Sequence, residues 1–249
     1  MILMRESRPR VAELWFDHDF SVGPVLDVVH LRQWAELPSG DEGEQFHTLV
    51  VDLLPEVERL QAGLDSGTAY EIRRSSSKDG CRFEALFAPT DAEVQAFIEF
   101  YDAFALSKGL KPVPAAQMVA RSRAGVLVLT RAIAAEMVQV WHAYVLEHGR
   151  ARLLYSASQF RDSTDKSHRA LVGRANRGLH WFDMLEFKAK GCREYDFGGW
   201  YAGQDDEQLL SINRFKQAFG GAVRVERNVT VARTLLGRFY LAYMRWRAR

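Results

Sequence analysis

Two titratable side chains in the last third of the chain stand close to glycine pairs. Asp196 follows Tyr195 and precedes Gly198-Gly199, and Lys216 lies four residues before Gly220. A carboxylate in a buried strand must be hydrogen-bonded or functional, and glycines let another chain segment approach closely. Asp196 is therefore a candidate to accept or hold a proton, and the alternative is that it caps the turn at the glycines. Lys216 is either a site cation or a side chain that snorkels to solvent.

Three further side chains suggest a cleft. His142 alternates with Val140 and Tyr144, as on one face of a strand, so it is either a general base near neutral pH or a structural histidine. His180 and Trp181 lie within a long helical pattern, where they either pack in the core or contact a substrate. His142 is the only one of the three for which we expect acid–base chemistry.

No metal site is expected from the sequence. The seven histidines include no HxxxH or HxH pair, and Cys81 and Cys192 lie far apart without a CxxC partner. Neither a zinc site nor a disulfide framework is indicated, and a reducing compartment fits. We therefore expect metal chelation to leave the activity unchanged.

Composition narrows the class of protein. The chain is 47% hydrophobic and 26% charged, as in ordinary globular proteins, and no segment approaches the roughly 20 apolar residues that span a bilayer. The first residues show no signal-peptide pattern, so we expect a soluble, cytoplasmic protein without a membrane span. A net charge of +1 gives no global attraction to nucleic acid, and no DNA partner is expected. The run Arg73-Arg74-Ser-Ser-Ser-Lys78 is either a phosphate or RNA patch or a solvated loop.

The first two thirds of the chain carry strand patterns and one strong helix pattern. Residues 11–16 and 46–54 read as strands, with a loop at 38–44 between them. Thr90 and Glu93 have capping-box spacing at the start of an apolar helical period that ends at Gly109. Residues 125–130, 137–146 and 151–156 predict three strands in an antiparallel meander.

The last third alternates helices with strands. Apolar residues at helical spacing run from 171 to 189, and Gly191 follows as a C′ residue. A strand at 194–197, a helix at 209–219, a strand at 223–231 with valines at alternate positions, and a helix at 235–246 come next. This order predicts a mixed sheet with helices packed on it.

The same order of elements is that of a GNAT acyltransferase core. The segment from Arg174 to Gly199, ending Tyr195-Asp196-Phe197-Gly198-Gly199, and the segment Phe215-Lys216-Gln217-Ala218-Phe219-Gly220-Gly221 resemble the Fem-type branch of that superfamily. Residues 63–74 look like the basic helix that Fem-type proteins place near their first sheet. The resemblance implies an α/β (α+β) fold with a mixed, largely antiparallel sheet and helices on both faces. Residues 111–249 would form the GNAT-like core, and residues 1–110 a reduced N-terminal GNAT-like lobe that is not stable alone.

The resemblance also implies a reaction. The first hypothesis is N-acyl transfer from an acyl thioester, with acyl-CoA as co-substrate and no bound cofactor, to an amine of a small molecule, amino sugar or amino acid. The second is aminoacyl-tRNA-dependent transfer to a cell-wall precursor or peptide. The third is an inactive module that binds a carrier or a glycan enzyme. The implied partners are a small-molecule, glycan or peptide amine, and a tRNA or a carrier protein.

Roles for particular residues follow from the resemblance. Backbone N–H groups at residues 173–176 would bind a diphosphate at a helix N-terminus, although the loop from Arg169 to Ala175 is one residue longer than the usual GNAT form. Lys216 would face a donor or acceptor phosphate. The expected catalytic residues are Asp196, Lys216 and His142. The expected cofactor-binding residues are Arg169, Gly173, Arg174 and Ala175. The expected substrate-binding residues are Tyr195, His180 and Trp181.

Overall fold

The fold is taken from a computed structural model of the chain that describes residues 1–16, 25–37, 43–159 and 165–247. Most of the loop predicted at 38–44 lies outside these residues. In chain order the elements are β1 Ile2–Arg5, β2 Val11–Trp15, β3 Val28–Trp34, β4 Glu44–Asp52, α1 Val57–Ala62, α2 Ser66–Ser77, β5 Arg82–Leu86, α3 Asp91–Lys108, α4 Ala115–Arg123, β6 Leu127–Ala134, β7 Met137–Glu147, β8 Arg150–Ser158, α5 Lys166–Ala189, β9 Glu194–Gly199, α6 Glu207–Gln217, β10 Ala222–Ala232 and α7 Leu235–Arg247.

The chain forms two compact units, the first comprising Met1–Thr48 with Arg224–Arg249 and the second Leu49–Val223. In the first unit β2 runs parallel to β3, β1 is antiparallel to β2, and β10 is antiparallel to β3. The start of α7 is fixed there, because Asp27 accepts hydrogen bonds from Arg10 N at 2.8 Å and from Thr234 Oγ1 at 2.6 Å. An apolar cluster fills the interior of this unit: Ala12, Leu14, Leu26, Val29, Leu31 and Trp34.

The second unit carries strands in the order β4-β9-β8-β7-β6-β5. Strands β5, β6, β7 and β8 pair antiparallel in sequence, which confirms the predicted meander, and β9 pairs parallel to β8. The sheet is therefore mixed and largely antiparallel, as expected.

Helices cover both faces of this sheet, and strand β7 shows why. Its alternate residues Trp141 and Ala143 pack with α3 and α4, whereas Tyr144 on the other face packs with α2 and α5. The α3–α4 layer contributes Val94, Phe97, Ile98 and Met118, and the α2–α5 layer contributes Ile72, Met184 and Phe187. Each face thus buries its own apolar cluster, as the predicted fold class requires.

Local sequence signals placed the long helices correctly. Helix α3 begins after Thr90 with the complete capping box to Glu93 and ends at Gly109 in the left-handed region, at φ 64°. Helix α5 ends before Gly191, which also has a positive φ. The sequence patterns did not predict β1, β3, β5, α1 or α4, which are short or weakly periodic. The basic segment that resembled a Fem-type helix is helical, as α2.

Two placements differ from the sequence-based expectation. The boundary expected after residue 110 falls inside the second unit, because β5 pairs with β6 and α2 packs on α5. Strand β10 forms where predicted, but its Val223 and Val225 are exposed, while Glu226 is buried and accepts a hydrogen bond from Gln33 Nε2 at 2.9 Å. Alternation alone predicted that the valines of this strand would face a core.

Candidate functional site

The parallel ladder between β8 and β9 is short. It pairs residues 150–152 with residues 194–196, while β8 continues to Ser158 and β9 to Gly199. Gly198 has φ 70°, and a Cβ atom there would lie 3.0 Å from the carbonyl oxygen of Leu153. A glycine meets both conditions without strain. The end of β9 therefore approaches the backbone of β8 closely and turns away from the ladder.

Asp196 organises this strand end. Its Oδ2 accepts hydrogen bonds from Arg150 Nη2 at 2.7 Å and Nε at 3.1 Å, and its Oδ1 accepts from Gly198 N at 2.7 Å. The carboxylate is fully buried, so these contacts offset its lost hydration. The turn-capping interpretation of Asp196 is therefore what the geometry shows, with a buried ion pair to Arg150 added to it. Sequence reasoning missed Arg150.

Lys216 reaches the same strand end from α6. Its Nζ donates to the carbonyl oxygens of Gly199 and, at 3.5 Å, of Gly198. Burial and the nearby Arg152 guanidinium lower the pKa of Lys216 to about 8, and the Asp196 carboxylate acts in the opposite direction. Lys216 and Asp196 thus lie in one electrostatic neighbourhood, as the short β9–α6 connection predicted. At neutral pH the ammonium is held at the end of β9.

A second polar cluster lies between β7 and α5. Asp183 Oδ2 accepts hydrogen bonds from Tyr144 Oη at 2.6 Å and from His142 Nδ1 at 2.8 Å. The other ring nitrogen of His142 lies 2.9 Å from Asn176 Oδ1. His142 is fully buried with both ring nitrogens engaged. It therefore does not reach a cleft as the sequence suggested, because α5 packs over that face of β7.

The hydrogen bonds of this cluster continue to β9 in one direction. Tyr144 donates its only hydroxyl hydrogen to Asp183. In the 2.7 Å contact between the phenol oxygens of Tyr144 and Tyr195, Tyr195 is therefore the donor. His180 Nδ1, 2.7 Å from Tyr195 Oη, must then donate. Burial, with the Asp183 carboxylate, raises the pKa of Tyr144 and Tyr195 well above their usual range. Both phenols keep their hydrogens at neutral pH.

His180 is the end of this chain of hydrogen bonds. Burial lowers the pKa of His180 well below its usual range, and His142, Lys216 and Arg177 act in the same direction. Since Nδ1 carries the hydrogen of this neutral ring, Nε2 is unprotonated. The His180 ring lies 4.2 Å from that of His142 between centroids. Three further rings surround it, those of Phe197, Phe215 and Phe219.

Three members of the cluster could hold a metal ion. The ligand atoms of His142, His180 and Asp183 all lie within 4.8 Å of one another, and Asp183 Oδ1 is buried without a hydrogen-bond partner. The search for HxxxH and HxH pairs missed them because the histidines come from two elements. The signal in the sequence is Asn176, His180 and Asp183, which fall on one face of α5 at i, i+4 and i+7. The unchanged activity under chelation stays a prediction.

The expected diphosphate cradle is not where the sequence placed it. Helix α5 begins at Lys166, so Gly173 and Ala175 lie in its interior, where backbone N–H groups bond within the helix. The N-cap is Asp165, whose carboxylate accepts from Ser167 N at 2.8 Å. Arg174 pairs with Asp79, with 3.0 Å between Nη2 and Oδ1. The prediction of a helix start at these residues is wrong. The apolar period begins only at Leu171, whereas the first turn of α5, from Lys166, is polar and therefore lies outside that period.

Two other predicted residues and one predicted run have simple placements. Arg169 is exposed on the first turns of α5. Trp181 is partly buried against the apolar cluster that includes Ile72, Met184 and Phe187. The run 73–78 is helical up to Ser77 rather than a loop, and within it Arg74 Nη1 lies 3.4 Å from Tyr70 Oη. A role for these residues in binding stays a prediction.

Comparison with known proteins identifies the fold. No family model and no curated protein matches the sequence. The structure of FemX has a TM-score of 0.58 at 12% identity, covering 79% of this chain and 63% of that one. The C-terminal domain of a lysylphosphatidylglycerol synthetase from Agrobacterium fabrum has a TM-score of 0.53 at 11% identity, covering 86% and 70%. L-PGS from Bacillus licheniformis has a TM-score of 0.51 at 12% identity, covering 88% and 72%.

The chain therefore has a GNAT-like, Fem-type fold. It spans less than two thirds of the length of FemX. Among the residues that the structure describes, no helix is both long and apolar enough to cross a membrane.

Proposed function

We propose that this protein is an acyltransferase that moves an acyl or aminoacyl group from an activated donor to an amine. The observation that carries the proposal is the end of β9, where the ladder with β8 stops and the Lys216 ammonium is held beside the Asp196–Arg150 pair. A cation held in a partly desolvated position is suited to a carbonyl oxygen that becomes negative. The shared fold supports the class of reaction but not the substrates.

The proposed reaction uses Lys216 as the oxyanion partner. The amine nitrogen attacks the donor carbonyl, the new C–N bond forms, and the Lys216 ammonium stabilises the negative oxygen of the tetrahedral intermediate. The intermediate collapses, the bond to the donor's sulfur or oxygen breaks, and the leaving group takes the proton that the amine loses. Asp196 positions the end of β9, and thereby the carbonyl groups that hold Lys216. His142 and His180 orient the buried cluster rather than exchange protons with substrate.

The donor that the geometry favours is an aminoacyl ester. A carboxylate, Asp165, caps the start of α5, where an acyl-CoA enzyme of the expected kind would place the diphosphate. One of the similar structures is described as a domain of a lysylphosphatidylglycerol synthetase, a name that implies lysyl transfer to a lipid. Acyl-CoA, the first donor suggested by the sequence, is less well supported. A tRNA partner and a peptide, glycan or small-molecule amine acceptor remain part of the proposal.

A thermal-shift series tests the donor. Purified protein is melted with acetyl-CoA, a long-chain acyl-CoA, aminoacyl-tRNA and uncharged tRNA as the control. A ligand that binds only the folded state at 100 times its Kd stabilises it by about 2.7 kcal/mol. We expect aminoacyl-tRNA to raise the Tm more than uncharged tRNA. A shift with an acyl-CoA alone would reinstate the thioester donor, and no shift with any donor would favour the inactive binding module.

A further inference from the structure

Helix α7 presents an apolar stripe to solvent. Leu235, Phe239 and Trp246 are 71%, 73% and 74% exposed. At 100° per residue these three lie within 40° of one another around the helix axis, and Tyr243 and Leu236 widen the same face. We call these five residues the α7 stripe. Single exposed apolar residues are ordinary, but a continuous set of large ones marks an interaction site.

Arginines border the α7 stripe on both sides. Arg238 and Arg245 are seven residues apart and share one flank, and Arg247 lies on the other. The sequence has no Asp or Glu after Glu226. The helix therefore combines an apolar face with flanks of purely positive charge, so its partner must be apolar in the middle and negative at the edges.

The first turns of α7 are attached to the first unit on the side opposite the α7 stripe, whereas residues 242–247 are exposed. Gly237 is buried, and its N–H donates to Thr234 Oγ1 at 3.1 Å. The absence of a side chain matters there, because a Cβ atom on Gly237 would collide with the carbonyl oxygen of Asp27. The guanidinium of Arg5 lies 5.8 Å from the centroid of the Tyr240 ring. These contacts turn the α7 stripe outward in the folded unit.

We propose that α7 binds the surface of an anionic phospholipid membrane, lying in the plane of the interface. Leucine, phenylalanine and tryptophan side chains enter the boundary between headgroups and acyl chains, and arginines at the flanks reach lipid phosphates. With 13 residues the helix is about 20 Å long, shorter than the hydrocarbon core that a spanning helix must cross.

A second copy of the chain fits the α7 stripe less well. Two α7 helices that met through their stripes would bring arginine flanks together, and α7 contains no acidic residue to pair with them. Like charges that meet at an interface disfavour association. A lipid surface supplies both the apolar layer and the negative charge that the helix lacks.

Vesicle flotation with the full chain tests this proposal. We expect binding to vesicles of phosphatidylcholine mixed with the anionic lipid phosphatidylglycerol, weak binding to phosphatidylcholine alone, and loss of binding in high salt. Phe239→Ser with Trp246→Ser should weaken binding at least about tenfold. Arg238→Gln with Arg245→Gln should weaken binding about fivefold per arginine, on anionic vesicles only. Leu106→Ser is the matched control, because Leu106 is 84% exposed on α3, and it should bind like the wild type.

Melting curves and sedimentation separate this result from misfolding and from dimerisation. The stripe variants remove exposed side chains, so their Tm should stay within a few degrees of the wild type. Equal binding to both kinds of vesicle, or equal binding by the stripe variants and the wild type, would overturn the proposal. The proposal would also be overturned if the wild type formed a dimer in the absence of vesicles and bound no lipid, and if the stripe variants were monomeric.

Discussion

Replacing Lys216 by methionine tests both the electrostatics and the chemistry of the candidate site. The pKa of Lys216 falls from 10.5 to about 8 in the folded protein. That difference corresponds to at most about 3–4 kcal/mol, and about 1–3 kcal/mol after allowance for the partial exposure of the side chain. Below pH 8 Lys216 is protonated in both states, and the folded state carries the whole cost of the desolvated charge. Between pH 8 and 10.5 the unfolded chain binds more protons, so stability rises with pH.

Urea unfolding of the wild type and of Lys216→Met at intervals from pH 7 to pH 10.5 measures this cost. Methionine cannot titrate, so the free energy of unfolding of the wild type should rise by about 1–3 kcal/mol relative to the variant across this range. The comparison cancels other groups that titrate in both proteins. Lys111→Met controls for the loss of a lysine, because Lys111 is exposed in the segment between α3 and α4. Parallel curves for wild type and Lys216→Met would refute the desolvation of Lys216.

The same variant tests catalysis. If the ammonium stabilises the oxyanion, Lys216→Met should keep the fold and lose about 2–4 kcal/mol of transition-state stabilisation, or about 30-fold to 1000-fold in turnover. Single-turnover assays with the donor found by thermal shift give this number. Unchanged turnover would remove Lys216 from the site. Turnover lost in step with folding would make its role structural.

Three further predictions concern packing and organisation. Gly178→Ala places a methyl group 2.6 Å from the Phe83 ring and should lower the free energy of unfolding in urea by about 1–3 kcal/mol. Gly173→Ala, in the same helix with open space around it, should raise the free energy of unfolding by up to about 1 kcal/mol and leave activity unchanged. Asp196→Ala removes the carboxylate paired with Arg150 and should lower stability by on the order of 3 kcal/mol; an unaltered Tm would refute the ion pair's role. Residues 1–110 expressed alone should show no cooperative melt, and a cooperative transition would contradict the expected dependence on the rest of the chain.

The sequence determined the elements whose signals are local. The capping box at Thr90 and the apolar period after it specify α3. Both signals lie within one segment, because the side chains of Thr90 and Glu93 accept hydrogen bonds from backbone N–H groups at the helix start and the period marks the face to be buried. Gly198, at the end of β9, was recognisable for the same reason, since a positive φ favours glycine where the chain turns. The placement of Lys216 near Asp196 followed from the short connection between β9 and α6.

Only the tertiary structure decided which distant side chains meet. His142 and Asp183 are 41 positions apart, and their contact exists because α5 packs across β7. The same packing buried His142 and made Asp183, absent from every sequence-based expectation, the centre of the cluster. The sequence predicted a helix at 235–246, but only the structure shows that Leu235, Phe239 and Trp246 on this helix are exposed. Periodicity reports the pattern of side chains along an element, whereas burial depends on which other surface covers it.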